Sequence, residues 1–166
     1  MTSEKNTIEK LSSLPEQSRV WVYQCERFLT PNEVHAITEE GKKFLSSWNT
    51  HGMPLRAELI VYENLFLIMV LDEAVTEASG CSIDQSMKFI SEIEKYTGCS
   101  LTNRMSVSLY VDDKMMITDL NQLSHLKEKG IIDENTFVFD NLVDSLAKLR
   151  NNWKVKIGES WHARFL

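Results

Sequence analysis

The chain has 166 residues, of which 43% are apolar and 25% charged, the balance of a globular domain able to bury roughly 70% of its unfolded surface without a disulfide or a structural metal. Eighteen Lys and Arg against 24 Asp and Glu leave a net charge of −6, which opposes wholesale attraction to nucleic acid or to an anionic membrane surface. The six glycines are never closer than eleven residues apart, and this spacing excludes both the P-loop and the dinucleotide-binding fingerprint, each of which needs glycines clustered in one short loop.

Three cysteines, Cys25, Cys81 and Cys99, form an odd set without a C-x-x-C pair. They spell neither a complete disulfide framework nor a cysteine-rich zinc site, and they suit a reducing cytoplasm. The N-terminus lacks the apolar core of a secretory signal. The longest apolar run, Leu65 to Leu71, is far shorter than the roughly 20 residues that cross a bilayer. A soluble cytoplasmic protein is expected, with no membrane attachment, cofactor or metal.

Residues 1–17 carry few large apolar side chains and read as a flexible arm, and residues 18–166 read as one α+β domain. The segment Arg19 to Cys25, rich in β-branched and aromatic residues, predicts a first strand. At Thr30-Pro31-Asn32-Glu33 the helix-start signals coincide: Thr30 can cap the third amide, Glu33 can return the bond, and Pro31 takes the first helical position. Val34, Ile37, Phe44, Leu45 and Trp48 then form one face of a helix expected to stop near Gly52. Leu55 to Tyr62 alternates, and the unbroken apolar run Leu65 to Leu71 predicts a hairpin partner covered on both faces or central in its sheet.

Residues 72–80 form a polar loop, after which Ser82-Ile83-Asp84-Gln85 reads as a second capping box, with Ser82 as the cap. Ile83, Met87, Ile90 and Ile93 stripe the helix it opens, and Gly98 is its stop. Met105 to Val111 alternates as a strand, and Met115 to Thr118 completes a hairpin. Asp119 caps a short helix ending at Gly130. Thr136 to Asp140 is a last short strand, and Asn141 or Asp144 opens a helix through Leu142, Leu146, Leu149 and Trp153. The order βαββαβ predicts a ferredoxin-like core, an antiparallel sheet with helices on one face, followed by a C-terminal β/α extension.

Two places could carry chemistry. A thiol at Gly80-Cys81-Ser82 sits beside the unsatisfied N–H groups of a helix start, which can activate a nucleophile or hold a small anion, with Asp84 nearby. The packing alternative makes Ser82 a plain cap and Cys81 a small buried side chain. A nucleophilic Cys81 wants a base, for which His51 and His162 are the candidates and Arg56 or Arg164 the anion-holding partners. His51 also reads as a charged cap at a helix C-terminus. The second place is the tail, where Lys148, Arg150, Lys154, Lys156 and Arg164 oppose only Glu159 and alternate with Trp153, Trp161, His162 and Phe165. Such a mixture can hold a phosphate or stack a base, or it can anchor the chain end to the core with Arg164 paired to a carboxylate.

The segments Ser18–Gln24, Trp48–Gly52, Gly80–Ser86, Asn135–Val143 and Ser160–Leu166 together resemble a family of small Bacteroidetes proteins that carry the label "ABC transporter ATPase". The resemblance covers nearly the whole chain from about residue 14 and implies a bacterial, cytoplasmic, single-domain protein. The ATPase activity in that label requires a P-loop, which the glycine spacing excludes, and no LSGGQ-like signature is present. A non-catalytic binding or regulatory module is therefore expected, taking a small anion or a protein partner at the Ser82 helix start through Gly80, Cys81, Ser82, Asp84, Trp161, His162 and Arg164. The alternatives are a thiol-dependent enzyme with Cys81 as nucleophile and, more weakly, RNA contact through the tail.

Overall fold

The computed structural model describes residues 8–166. They form nine strands and four α-helices, joined by short 3-10 turns. Strands β1 (Arg19–Gln24), β4 (Arg56–Tyr62) and β5 (Phe66–Asp72) build one antiparallel sheet in the order β1-β5-β4. Strands β6 (Ser106–Val111), β7 (Lys114–Asp119), β8 (Phe137–Phe139) and β9 (Lys154–Lys156) build a second, in the order β7-β6-β8-β9. A two-residue pair, β2 (Asn49–Thr50) and β3 (Met53–Pro54), forms a small hairpin of its own. The protein is thus a mixed α and β structure with antiparallel sheets.

Helices α1 (Pro31–Ser47) and α2 (Gly80–Thr97) lie on one face of the first sheet. Side chains alternate across a strand, and Tyr23 and Leu59 point to this face. The Tyr23 hydroxyl reaches Met87 Sδ of α2, and Leu59 presses against Gly41 of α1, where an added Cβ would stand 3.0 Å from Leu59 Cδ2. Gly41 is therefore the packing point its position on the apolar face implies.

The opposite face of the first sheet meets the second. Phe66 contacts Phe139 and Trp153, and Tyr62 contacts Trp153, with ring centroids 4.8–5.2 Å apart. Tyr110, Met115 and Ile117 of the second sheet pack toward this first core. Val107, Leu109 and Val138 point the other way, into a second core shared with Leu120, Leu123, Ile132 and Ile157. This sandwiching explains the unbroken apolar run: all seven residues of β5 are buried because β5 is both central and covered on two faces.

A polar network crosses the joint between the sheets. Asn141 Nδ2 donates to Gln24 Oε1 (2.8 Å), Gln24 Nε2 donates to Ser106 Oγ (3.1 Å), and Trp153 Nε1 donates to Asn141 Oδ1 (3.0 Å). One residue earlier, Asp140 Oδ1 accepts from Trp161 Nε1 (2.9 Å), which ties down the chain end.

Several expectations need correction. A ferredoxin-like sheet would carry β6 as its fourth strand, outside β1. Here β6 pairs with β7 and β8, while the outer edge of β1 is met by the C-terminal extension: Arg19 bridges Ser145, Val20 N–H bonds Asp144 O, and Leu146 N–H bonds Ser18 O. Part of the expected arm, residues 8–17, is attached, with Leu11 and Leu14 buried in the first core; residues 1–7 lie outside the described residues. Gly52 is not a helix stop. Helix α1 ends at Ser47, and His51-Gly52 form the two-residue turn of the β2–β3 hairpin, both at positive φ, the conformation such turns require. The helix Leu146–Asn152 is capped by Ser145, not by Asn141 or Asp144.

Asn141 serves two buried or half-buried partners at once, and its loss leaves Gln24 Oε1 and Trp153 Nε1 without theirs. Asn141→Ala is expected to lower unfolding stability by about 3 kcal/mol in urea titrations. Leu142→Ala, one position away on an exposed side chain, is expected to change it by less than about 0.5 kcal/mol.

Candidate functional site

The start of α2 differs from the expected one by a turn of chain. Its cap is Ser79, whose Oγ accepts the Ser82 N–H, and Ser82 Oγ accepts the Ser79 N–H (2.7 Å) and donates to Ser79 O (2.8 Å). Ser82 is thus the third helical residue and fully buried. It heads the buried stripe that continues through Ser86, Phe89, Ile90, Ile93 and Thr97, and its carbonyl accepts the Trp48 indole N–H at 2.7 Å. Nothing of its hydroxyl is left to meet a ligand. The signal was present as Ser79-x-x-Ser82, but a serine at the third position is a weaker mark than the Glu or Gln usually sought there.

Gly80, Cys81 and Asp84 are exposed, so the packing alternative for Cys81 does not hold. Space above Gly80 is open. The chain also brings its own carboxylate to this helix end, where the dipole favours it: Glu73 Oε2 accepts the Ala78 N–H at 3.1 Å, and Glu73 pairs with Arg19.

The proposed helpers of Cys81 lie elsewhere or are engaged. His51 is exposed in the β2–β3 turn and caps no helix. His162 belongs to the far side of the second sheet, in a 3-10 turn over Trp161–Phe165. It is 2% exposed, stacked on Trp161 at 3.8 Å, with Nδ1 3.0 Å from Ser160 Oγ. Burial lowers its pKa from the ordinary 6.5 to about 4, against a smaller opposing pull from Asp140. Among the described residues no hydrogen bond joins Cys81 to His51, His162 or Asp84. Arg56 is held by Asp72 (3.1 Å) and by Ser13 O (2.8 Å). Arg164 pairs no carboxylate among the described residues; it donates from Nε to Trp161 O and lies over the Trp161 and Phe165 rings.

The basic tail is likewise occupied. Lys148 pairs with Asp144, Arg150 with Glu16, and the Lys154 ammonium sits 3.6 Å over the Tyr110 ring. Trp161, Phe165 and Leu166 pack into the second core. The tail is docked, and three of its five cations, Lys148, Arg150 and Lys154, already have internal partners.

A concave site that sequence reasoning missed lies between α1 and α2. It is a groove of about 430 Å³ lined by Phe44, Trp48 and Phe89, with Glu40, Lys43, Gln85, Lys88 and Glu92 among its polar residues. Phe44 and Phe89 stack nearly parallel, centroids 4.6 Å apart, and Phe44 is half-buried. Lys43 is paired with Glu40, whereas Lys88 makes no ion pair among the described residues. Gln85 comes one helical turn after Cys81, so the groove runs up to the first turn of α2. Phe44 and Trp48 read as ordinary core positions in sequence; only the packing of two helices against each other turns their outer edge into a cleft.

Among the described residues no three His, Cys, Asp or Glu side chains gather as a metal site, and no helix is long and apolar enough to cross a membrane. No protein-family model, curated protein or solved structure matches the chain.

Because His162 is neutral when folded and free to protonate when unfolded, its contribution is fully present above pH 6.5 and is lost as pH falls toward 4. The loss amounts to up to about 3 kcal/mol. Comparing urea stability at pH 7.5 and 4.5 for the wild type and for His162→Asn isolates it: the variant is expected to show a smaller fall.

Proposed function

We propose that this protein is a non-catalytic binding or regulatory module that holds a small anionic ligand with a flat apolar body in the α1–α2 groove. The observation that carries this reading is the stacked Phe44 and Phe89 pair lining a groove of about 430 Å³, a volume within the range of small-molecule sites. A ring can pack edge-to-face against the half-buried Phe44 while its anionic group meets Lys88, the groove lysine without an ion-pair partner among the described residues. This moves the expected anion site from the Ser82 helix start to the cleft beside it. Work in a reducing bacterial cytoplasm belongs to the same proposal, as does kinship with the Bacteroidetes proteins that the sequence resembles. So does the view of the β1-β5-β4 sheet with α1 and α2 as a ferredoxin-like core whose fourth strand has been drawn into a second sheet.

Two measurements test it. With 1-naphthoate as the probe, amide chemical-shift changes are expected at Phe44, Ser47, Gln85 and Lys88, and the exposed substitution Lys88→Glu is expected to weaken binding roughly 3- to 10-fold. Changes confined to other surfaces, or none at millimolar probe, would defeat the proposal.

The thiol-enzyme alternative is separated by labelling. Since no base reaches Cys81, iodoacetamide is expected to modify it near neutral pH no faster than a cysteine in an unstructured peptide. A rate tenfold or more above that reference would favour the enzyme.

A further inference from the structure

The two walls of the groove differ in how their charges are matched. On α1, Glu40 and Lys43 satisfy each other at 2.6 Å, as Glu39 and Lys42 do beside them at 2.7 Å. On α2, Lys88 and Glu92 both line the groove and are both exposed, and neither makes an ion pair among the described residues. Chain order accounts for the difference. In both α1 pairs the acid comes first along the helix, whereas on α2 the lysine precedes the glutamate, the poorer order for pairing across one turn. Residues four apart stand one above the other on a helix, with roughly 6 Å between their Cβ atoms, so this wall offers an ammonium and a carboxylate side by side. Phe89 lines the groove with them, and its ring is stacked on Phe44 with centroids 4.6 Å apart.

We propose that the occupant of the groove is a free aromatic α-amino acid, an inference that rests on the groove being a small-molecule site and names its ligand class. The ligand carboxylate is the anionic group and meets Lys88; the α-ammonium, attached to the same carbon, meets Glu92; the ring packs against Phe44. A head group carrying both charges matches both side chains at once. A simple carboxylate drawn to Lys88 would instead stand near Glu92 and be repelled by it. A peptide end does not offer the pair either: an N-terminal aromatic residue has its carboxylate consumed in an amide, and a C-terminal one its amine. The neighbouring α1 charges do not compete, because Glu40 and Lys43 neutralise each other across the cleft.

Three indole compounds that differ only in the head group provide the test: L-tryptophan, indole-3-propionate, which lacks the ammonium, and tryptamine, which lacks the carboxylate. Affinities are read from amide chemical-shift titrations of the full chain at Phe44 and Lys88. Tryptophan is expected to bind roughly 3- to 5-fold more tightly than either of the others. The exposed substitution Glu92→Gln is expected to abolish its advantage over indole-3-propionate and to leave indole-3-propionate bound at least as well as before, with a thermal midpoint within about 2 °C of the wild type. Indole-3-propionate binding the wild type as tightly as tryptophan, or an advantage that survives in Glu92→Gln, would overturn the inference while leaving the groove a site for small anions. If none of the three compounds nor 1-naphthoate shifts these amides, the groove is no ligand site and the inference fails with it.

Discussion

The side chain of Asn141 is where the two sheets become one body. Its amide donates to Gln24 on the first sheet and its carbonyl accepts from Trp153, while Gln24 passes a bond on to Ser106 at the head of β6. Little solvent reaches this joint, so each polar group left unpaired would cost far more than it gains when paired. The rings of Phe66, Phe139 and Trp153 close around it. With this joint made, β5 is covered on both faces, by the second sheet on one and, on the other, by α1 and α2, whose surface carries the groove.

What could be read from sequence divides by the distance between partners. The Thr30 and Glu33 capping box is written in four consecutive residues and forms as read, with Glu33 also bonded to Arg27 and held near pKa 2 by that guanidinium and by the Thr30 amide. Apolar runs and alternation located β1, β4, β5, β6 and β7 well. The β6–β7 hairpin was legible, but the pairing of β6 with β8 was not, because β8 lies beyond a helix and a loop and nothing local favours β8 over β1. His51-Gly52 misled for a related reason: a glycine at positive φ suits a helix end and a two-residue hairpin turn equally, and the deciding factor is the pairing of Thr50 with Met53.

The same distinction governs the candidate site. Three of the segments singled out in the sequence, Ser18–Gln24, Asn135–Val143 and Ser160–Leu166, meet at the joint through Gln24, Asp140, Asn141 and Trp161. Their polar and aromatic side chains thus have a structural task at this joint. The tail's cluster of bases and aromatics was visible as a pattern. Its partners were not, since Glu16, Tyr110 and Asp144 are supplied by other parts of the chain.

Catalysis by a cysteine needs three things in one place: access, a proton acceptor and donors for developing charge. Here they are kept apart. Cys81 has access, but among the described residues no base is bonded to it; Cys25 and Cys99 are buried; His162 is buried too, and that burial keeps it neutral. Of the two arginines named as anion holders, Arg56 is bound to Asp72 and Arg164 is turned onto the tail's own rings. With these groups engaged or set apart, the proposed binding role rests on shape and residual charge instead. Those two properties coincide in the groove between α1 and α2, where the half-buried Phe44, stacked on the buried Phe89, lies among the residues that also include Lys88.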